Sequence, residues 1–240
     1  VTDLRKAEAM RRDFVANVSH EMRTPLTVMM GFLETVQTLN LEPAKKDEYL
    51  ELMMVQGRRM KSLVEDLLTL ANLEANTQPA VQSKISMQAM MALLKNEAEA
   101  LSGGKHVVTI ECDTQHSLLG DERELISAFS NLVSNAIRYT PEGGSIKVVW
   151  RLNEAGEPEF SVRDSGPGIS SEHLPRLTER FYRVDRSRSR ETGGTGLGLA
   201  IVKHVATKHG GDVSVWSAPA VGSTFALRLP IYSNTGETNS

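Results

Sequence analysis

Phe14-Val15-Ala16-Asn17-Val18-Ser19-His20-Glu21-Met22-Arg23-Thr24-Pro25 carries two messages at once. Apolar residues recur at Phe14, Val18, Met22 and Pro25, and go on to Met29, Phe32 and Val36. Steps of three and four make one stripe along a helix. A helix turns about 100° per residue, so His20 lies roughly 150° from the centre of that stripe. The stripe is expected inside and the imidazole outside.

Outward from this stretch, residues from about 4 to 76 read as helix, broken at Asn40-Leu41-Glu42-Pro43. A second stripe follows at Met53, Gly57, Met60, Val64, Leu67 and Ala71. Alternating steps of four and three are a coiled-coil pattern. Two long helices with a short link predict an antiparallel hairpin. Leu63, Leu68 and Leu70 fall outside the narrow seam. Pairing two hairpins into a four-helix bundle would bury them, so a homodimer is expected.

From about 84 the period changes. Val107–Cys112, Ser145–Trp150, Glu159–Arg163, Asp212–Ser217 and Thr224–Leu229 read as strands, with a turn at Asn153-Glu154-Ala155-Gly156. Helices are expected after Ser86, after Asp121 and around Leu197–His209. Asp121 with Glu124 resembles a capping box. This half is a mixed α+β layer domain. The organisation is therefore 1–78, hairpin; 79–232, second domain, with the boundary near Gln78-Pro79; 233–240, a polar tail expected to be disordered.

Bulk composition sets limits. The 240 residues are 40% hydrophobic and 24% charged, enough for a real core, and the net charge of −3 gives no reason to expect nucleic-acid binding. The single cysteine, Cys112, excludes a disulfide within the chain and points to a reducing compartment. No apolar run approaches the roughly 20 residues that span a bilayer. Val1-Thr2-Asp3-Leu4 has neither an initiator methionine nor a signal peptide, so a piece of a longer protein is expected.

Exposed histidines are common and most are idle. Around His20, however, Glu21 is placed to accept a ring proton while the other nitrogen attacks. An ordinary histidine pKa near 6.5 leaves much of the ring neutral and nucleophilic. Pro25 removes a backbone donor and should loosen the helix. A zinc helix is disfavoured, because Thr24 stands where the second histidine would be.

The second domain has two glycine clusters. Asp164-Ser165-Gly166-Pro167-Gly168-Ile169 follows a strand, and Gly193-Gly194-Thr195-Gly196-Leu197-Gly198-Leu199 precedes a helix. Glycine permits close backbone approach, and a helix N-terminus favours phosphate. Neither is a Walker loop, since no Gly-Lys-Ser/Thr follows. The helix before them carries Asn131 and Asn135 four apart, on one face. Two amide oxygens there suit Mg²⁺, and Arg138 can neutralise phosphate.

An Asn-x-x-x-Asn helix, then Asp-x-Gly-x-Gly, then Gly-x-Gly-x-Gly resembles the GHKL ATPases, whose unit is the Bergerat α/β sandwich. The resemblance implies ATP with Mg²⁺ as cofactors and Asn131 and Asn135 as metal ligands. It implies Asp164 on the adenine amino group, with Gly166 and Gly168 beside it. It implies Gly194, Thr195, Gly196, Leu197, Gly198 and Leu199 over the phosphates, with Tyr139, Tyr182 and Arg183 as further contacts. Residues of about 170–193 resemble the ATP lid. Phe14–Thr27 resembles the H box, Asn131–Pro141 the N box and Arg180–Asp185 the F box of sensor histidine kinases. The one departure is Arg138 where lysine is usual, which changes the geometry of phosphate contact but keeps the charge.

Membership of that family implies an autokinase that phosphorylates His20, with Glu21 beside it, and delivers the group to a response regulator aspartate; it also implies phosphatase activity toward that regulator, with Thr24 orienting the attacking water. Pro175–Arg190 and Ala200–His204 are similar to the phosphate-regulon sensors, which implies a PhoB-like regulator. It also implies upstream PAS and transmembrane segments, with this portion on the cytoplasmic side of the inner membrane. Two other readings stay open: a scaffold with a vestigial pocket, and an ATPase that works without His20.

Overall fold

The computed structural model describes residues 2–75, 83–113, 118–184 and 194–230, with side chains from Arg12 onward. The expected boundary near Gln78-Pro79, the tail 233–240 and lid residues 185–193 lie outside them.

Helices α1 (Thr2–Thr38) and α2 (Pro43–Ala75) form the hairpin, and Pro25 sits inside an unbroken α1. The first stripe is turned inward as expected: Pro25 is buried and Phe14, Val18, Met22, Met29, Phe32 and Val36 are half-buried. Phe32 stacks on Tyr49 near the turn, with ring centroids 5.1 Å apart. His20 is exposed.

The second stripe needs correction. Val64 and Ala71 are exposed, whereas Leu63, Leu70 and Leu73 are buried within one chain. Both 57/60/64/67 and 60/63/67/70 satisfy the four-three spacing. The frame that buries leucine in place of glycine, valine and alanine gains more from apolar burial and wins. Leu68 stays 59% exposed, as do large parts of Leu26, Met30, Leu33 and Val64. Leu68 thus keeps the place expected of it, on a face that one chain leaves uncovered. No helix among the described residues is long and apolar enough to cross a membrane.

The second module is a two-layer α/β sandwich. Strands β1 (Ser83–Ile85) and β3 (Leu118–Gly120) pair antiparallel in a small sheet. These three-residue strands are too short to show alternation in sequence, and they were not expected. The main sheet runs β2-β4-β5-β7-β6, from β2 (Val107–Cys112), β4 (Ser145–Leu152), β5 (Pro158–Asp164), β6 (Asp212–Ala218) and β7 (Gly222–Arg228). Only the β2–β4 pair is parallel. Helices α3 (Met87–Ser102), α4 (Glu122–Tyr139) and α5 (Gly198–Lys208) form the other layer. Ser86 caps α3, its side chain accepting from Ala89 N.

Strand alternation sends Phe160, Val162 and Asp164 to one face. They are paired in register with Trp150, Val148 and Ile146, and all six are buried. Phe129 of α4 stacks on Phe160 at 4.0 Å. The same periodicity that builds this core thus drives a carboxylate into its end.

The Asp121 capping box is half formed. Asp121 Oδ1 accepts from the amides of Arg123 and Glu124, but Glu124 does not reach back. The amide of Asp121 instead donates to His209 Nε2 at 3.1 Å, while Glu124 pairs with Lys208. His209 is 3% exposed and its Nδ1 donates to Val205 O. This ring pins the start of α4 to the end of α5. His209→Ala is expected to lower folding stability by about 3 kcal/mol, through a cavity plus a stranded amide, as read by urea unfolding.

Candidate functional site

The end of β5, the C-terminal half of α4 and the start of α5 converge. Asp164 is 8% exposed, and its Oδ1 accepts from Gly166 N at 2.8 Å and Ser223 N at 3.3 Å. Its Oδ2 has no hydrogen-bond partner among the described residues, so one oxygen is structural and the other is available. Burial pushes the Asp164 carboxyl above its usual range, and the two amides oppose this. Gly222 and Ser223 had no part in the sequence-based site, yet they build this wall. Gly222 has φ +110°, and a Cβ there would stand 2.1 Å from Asp164 O. The signal available for them was a glycine opening the strand that pairs with the aspartate's own.

Across from it, Asn131 Nδ2 donates to Ser127 O at 2.9 Å, which turns Oδ1 toward the second glycine cluster. A Cβ on Gly198 would lie 2.4 Å from that oxygen, so only glycine lets the start of α5 come this close to α4. Asn135 and Arg138 are half-buried on the same helix, and Tyr139 is 43% exposed. Gly194 sits over Tyr139 Oη and the Arg138 guanidinium. The hydrogen-bond ladder of α5 begins with Ile201 N donating to Leu197 O. The amides of Gly198, Leu199 and Ala200 are therefore those a helix leaves unpaired at its positive end. Thr195 and Leu197 are buried beneath them.

This donor set fits the group the resemblance implies. Two neutral amide oxygens on α4 suit a hard cation that keeps its waters. The positive end of α5 and Arg138 suit polyphosphate. Not every expected contact lies here. Gly166 is pressed against Asp164 and the carbonyl of Tyr139, and a Cβ on Gly168 would strike the carbonyl of Ala218 at 1.9 Å, so Gly168 serves packing against the β6–β7 turn. Tyr182 Oη bonds His173 Nδ1 at 2.7 Å, with Arg176 over its ring.

The two modules touch along Arg180–Arg183, within the segment expected as the lid. Phe181, at φ +61°, donates its amide to Gly196 O and sets its ring 5.7 Å from Phe14. Arg180 pairs with Glu74 and lies over the Phe14 ring. Glu21 Oε2 accepts from Arg59 at 3.0 Å and Arg183 at 3.4 Å. Burial pushes the Arg183 guanidinium below its usual value, and the Glu21 charge holds it up. Glu21, expected as a proton acceptor for His20, is in this arrangement the anchor of two cations, one from each module. Arg59 was not foreseen. Thr24 is exposed, and its hydroxyl donates to His20 O at 3.3 Å. Between α2 and α5 lies an open cleft of about 590 Å³ lined by Leu70, Leu73 and Arg180 among others. Neither Asp164 nor Asn131 lines it, nor does any other expected site residue.

Comparison with known proteins agrees with this anatomy. Residues 10–76 match the His Kinase A (phospho-acceptor) domain. Residues 120–233 match the histidine kinase-, DNA gyrase B- and HSP90-like ATPase family. The chain is 50% identical over 232 residues to phosphate regulon sensor protein PhoR of Pseudomonas aeruginosa, covering 95% of this chain and 52% of that protein. It is 38% identical over 228 residues to sensor-like histidine kinase SenX3 of Mycolicibacterium smegmatis, covering 95% and 59%. It thus spans little more than half the length of these curated relatives. Its backbone follows the solved structure of histidine kinase ThkA in complex with response regulator protein TrrA, with a TM-score of 0.74 over 94% of this chain and 63% of that one; at 21% identity this is a likeness of fold. With both domain families in sequence on a hairpin and a sandwich, the chain belongs to the sensor histidine kinases, as a PhoR-like phospho-acceptor and ATPase portion.

Proposed function

We propose that the chain binds Mg·ATP in the sandwich and transfers the γ-phosphoryl group to His20, from which it passes to an aspartate of a response regulator. The observation that carries this reading is the Glu21–Arg183 pair, which already joins the lid to the helical turn bearing the exposed imidazole. A ring nitrogen of His20 attacks the γ-phosphorus in line. The bond to the β–γ bridging oxygen breaks, ADP leaves with that electron pair, and the exposed ring gives up its N–H proton to solvent. Phosphoryl transfer asks for positioning and charge neutralisation. Mg²⁺ held by Asn131 and Asn135 would supply part of the neutralisation. Arg138 and the first amides of α5 orient the phosphates, and Asp164 Oδ2 accepts from the adenine amino group. Incubation of the chain with Mg²⁺ and γ-labelled ATP tests this. Base-stable, acid-labile label is expected; phosphate release with no protein label would point to a plain ATPase instead.

The identity to PhoR supports a regulator of the PhoB type and a role in the phosphate regulon. The exposed leucines of the hairpin support a homodimer. The relatives' greater length supports upstream sensing and membrane segments, with this portion on the cytoplasmic side.

Dephosphorylation of the regulator is part of the same reading. Thr24 is exposed one turn beyond His20 and can orient a water there. Its back-bond to His20 O is long enough to exchange easily. Thr24→Ala is expected to cut release of phosphate from the phosphorylated regulator about tenfold or more, at unchanged autokinase rate. Equal loss of both activities would remove Thr24 from this role.

A further inference from the structure

The hairpin reaches into the phosphate end of the site. Asp66, on α2, is half-buried, and its Oδ2 accepts from Thr195 Oγ1 at 2.6 Å. Thr195 is 8% exposed and belongs to the second glycine cluster; its hydroxyl oxygen also accepts from Leu197 N at 3.2 Å. The next residue back, Gly194, lies against Tyr139 and Arg138. The Asp66 carboxylate is thus an anion from one module seated on the hydroxyl that closes the anion-binding loop of the other.

We propose that Asp66 is a built-in competitor of the nucleotide's terminal phosphate: it occupies Thr195 while the hairpin is docked and must withdraw for Mg·ATP to be gripped. The inference rests on the kinase reading for the identity of the ligand. Two anions cannot share one hydroxyl donor, and bringing phosphate beside a half-buried carboxylate adds repulsion. The groups at stake support the same conclusion. Burial pushes the Asp66 carboxyl up, while the Thr195 bond and the positive charge of Arg138 pull it down. Arg138 therefore serves Asp66 in this state and a phosphate in the other. By linkage, whatever the hairpin does to free Asp66 raises nucleotide affinity, and nucleotide in turn loosens the hairpin from the sandwich.

The test is titration of the 240-residue chain with the non-hydrolysable analogue AMPPNP in Mg²⁺, wild type against Asp66→Asn and Asp66→Ala. If the docked state dominates, its loss raises the competent fraction, and both variants are expected to bind about five- to tenfold more tightly. Adenosine, which has no phosphate, should bind all three forms alike. Folding is not at risk: the ionised carboxylate of a group with a raised pKa costs stability as pH rises through that value, so Asp66→Asn should melt at or above wild type at neutral pH. Unchanged or weaker AMPPNP binding in both folded variants overturns the inference and leaves the kinase reading standing. An equal gain for adenosine also overturns it, since the change would then lie at the adenine end. Failure of the wild type to bind any nucleotide overturns both.

Discussion

His20→Gln is expected to accept no label from γ-labelled ATP, yet to bind nucleotide as tightly as the wild type. The side chain is exposed and bears no part of the core, so its loss removes the acceptor without disturbing the fold. The residues expected to hold the nucleotide stand on α4, at the end of β5, in the two glycine clusters, in the intervening loop and at the start of α5, none of them on the helix that carries His20. The effect is complete loss and not a rate reduction, because no other nucleophile shares that exposed face at the same turn. Exposed Ser19 is adjacent, but its hydroxyl is bonded back to Val15 O at 2.8 Å. Label persisting in His20→Gln at wild-type level would move the acceptor elsewhere and end the present account. Mixed, at ATP too dilute to fill a weakened site, with a partner whose nucleotide affinity is impaired, the same variant also reports geometry: label appears on the partner's His20 only when phosphate crosses between the chains of a dimer.

That partner is Asp164→Asn, the second large effect. Asparagine keeps an oxygen for the amides of Gly166 and Ser223, so the loop stays formed. At the position of Oδ2 it can place an NH₂, which faces the adenine amino group donor to donor. An unmatched buried polar pair costs about 1–3 kcal/mol, or roughly 5- to 150-fold in nucleotide affinity. Stability should not suffer at neutral pH. The folded pKa of Asp164 is raised, so its contribution to stability is full below the ordinary carboxylate value and is lost as pH rises through the raised one; at neutral pH the charge is a cost that Asn removes. The same raised pKa means that wild-type nucleotide affinity declines on acidification earlier than an ordinary carboxylate would allow, and Asp164→Asn should lack that decline. Calorimetric titration across pH measures both. Wild-type affinity in the variant would show that this carboxylate does not read the base.

How much of this was legible beforehand follows from what each feature depends on. Helix periodicity located α1, its stripe and the exposure of His20, because those need only neighbours in sequence. Strand alternation through Phe160, Val162 and Asp164 already carried the information that a carboxylate points inward, although the aspartate was first singled out by its place before a glycine cluster. The frame of α2 was misread because two sets of positions share Met60 and Leu67, and only packing against another element decides between them. Arg59, Asp66 and His209 were invisible for a common reason. Each acts on a partner distant in the chain, and none sits in a local pattern that sets it apart from an ordinary charged, turn-forming or core residue.

Phe14 and His20 belong to the same uninterrupted rod, α1. The Phe14 ring lies against Phe181 of the expected lid, and the exposed His20 is the phosphoryl acceptor proposed above. Any torque on that rod swings both side chains through the same angle, since a helix transmits twist without slack over so few turns. The grip on the lid and the aim of the nucleophile are therefore geared together, like two cams cut on one shaft.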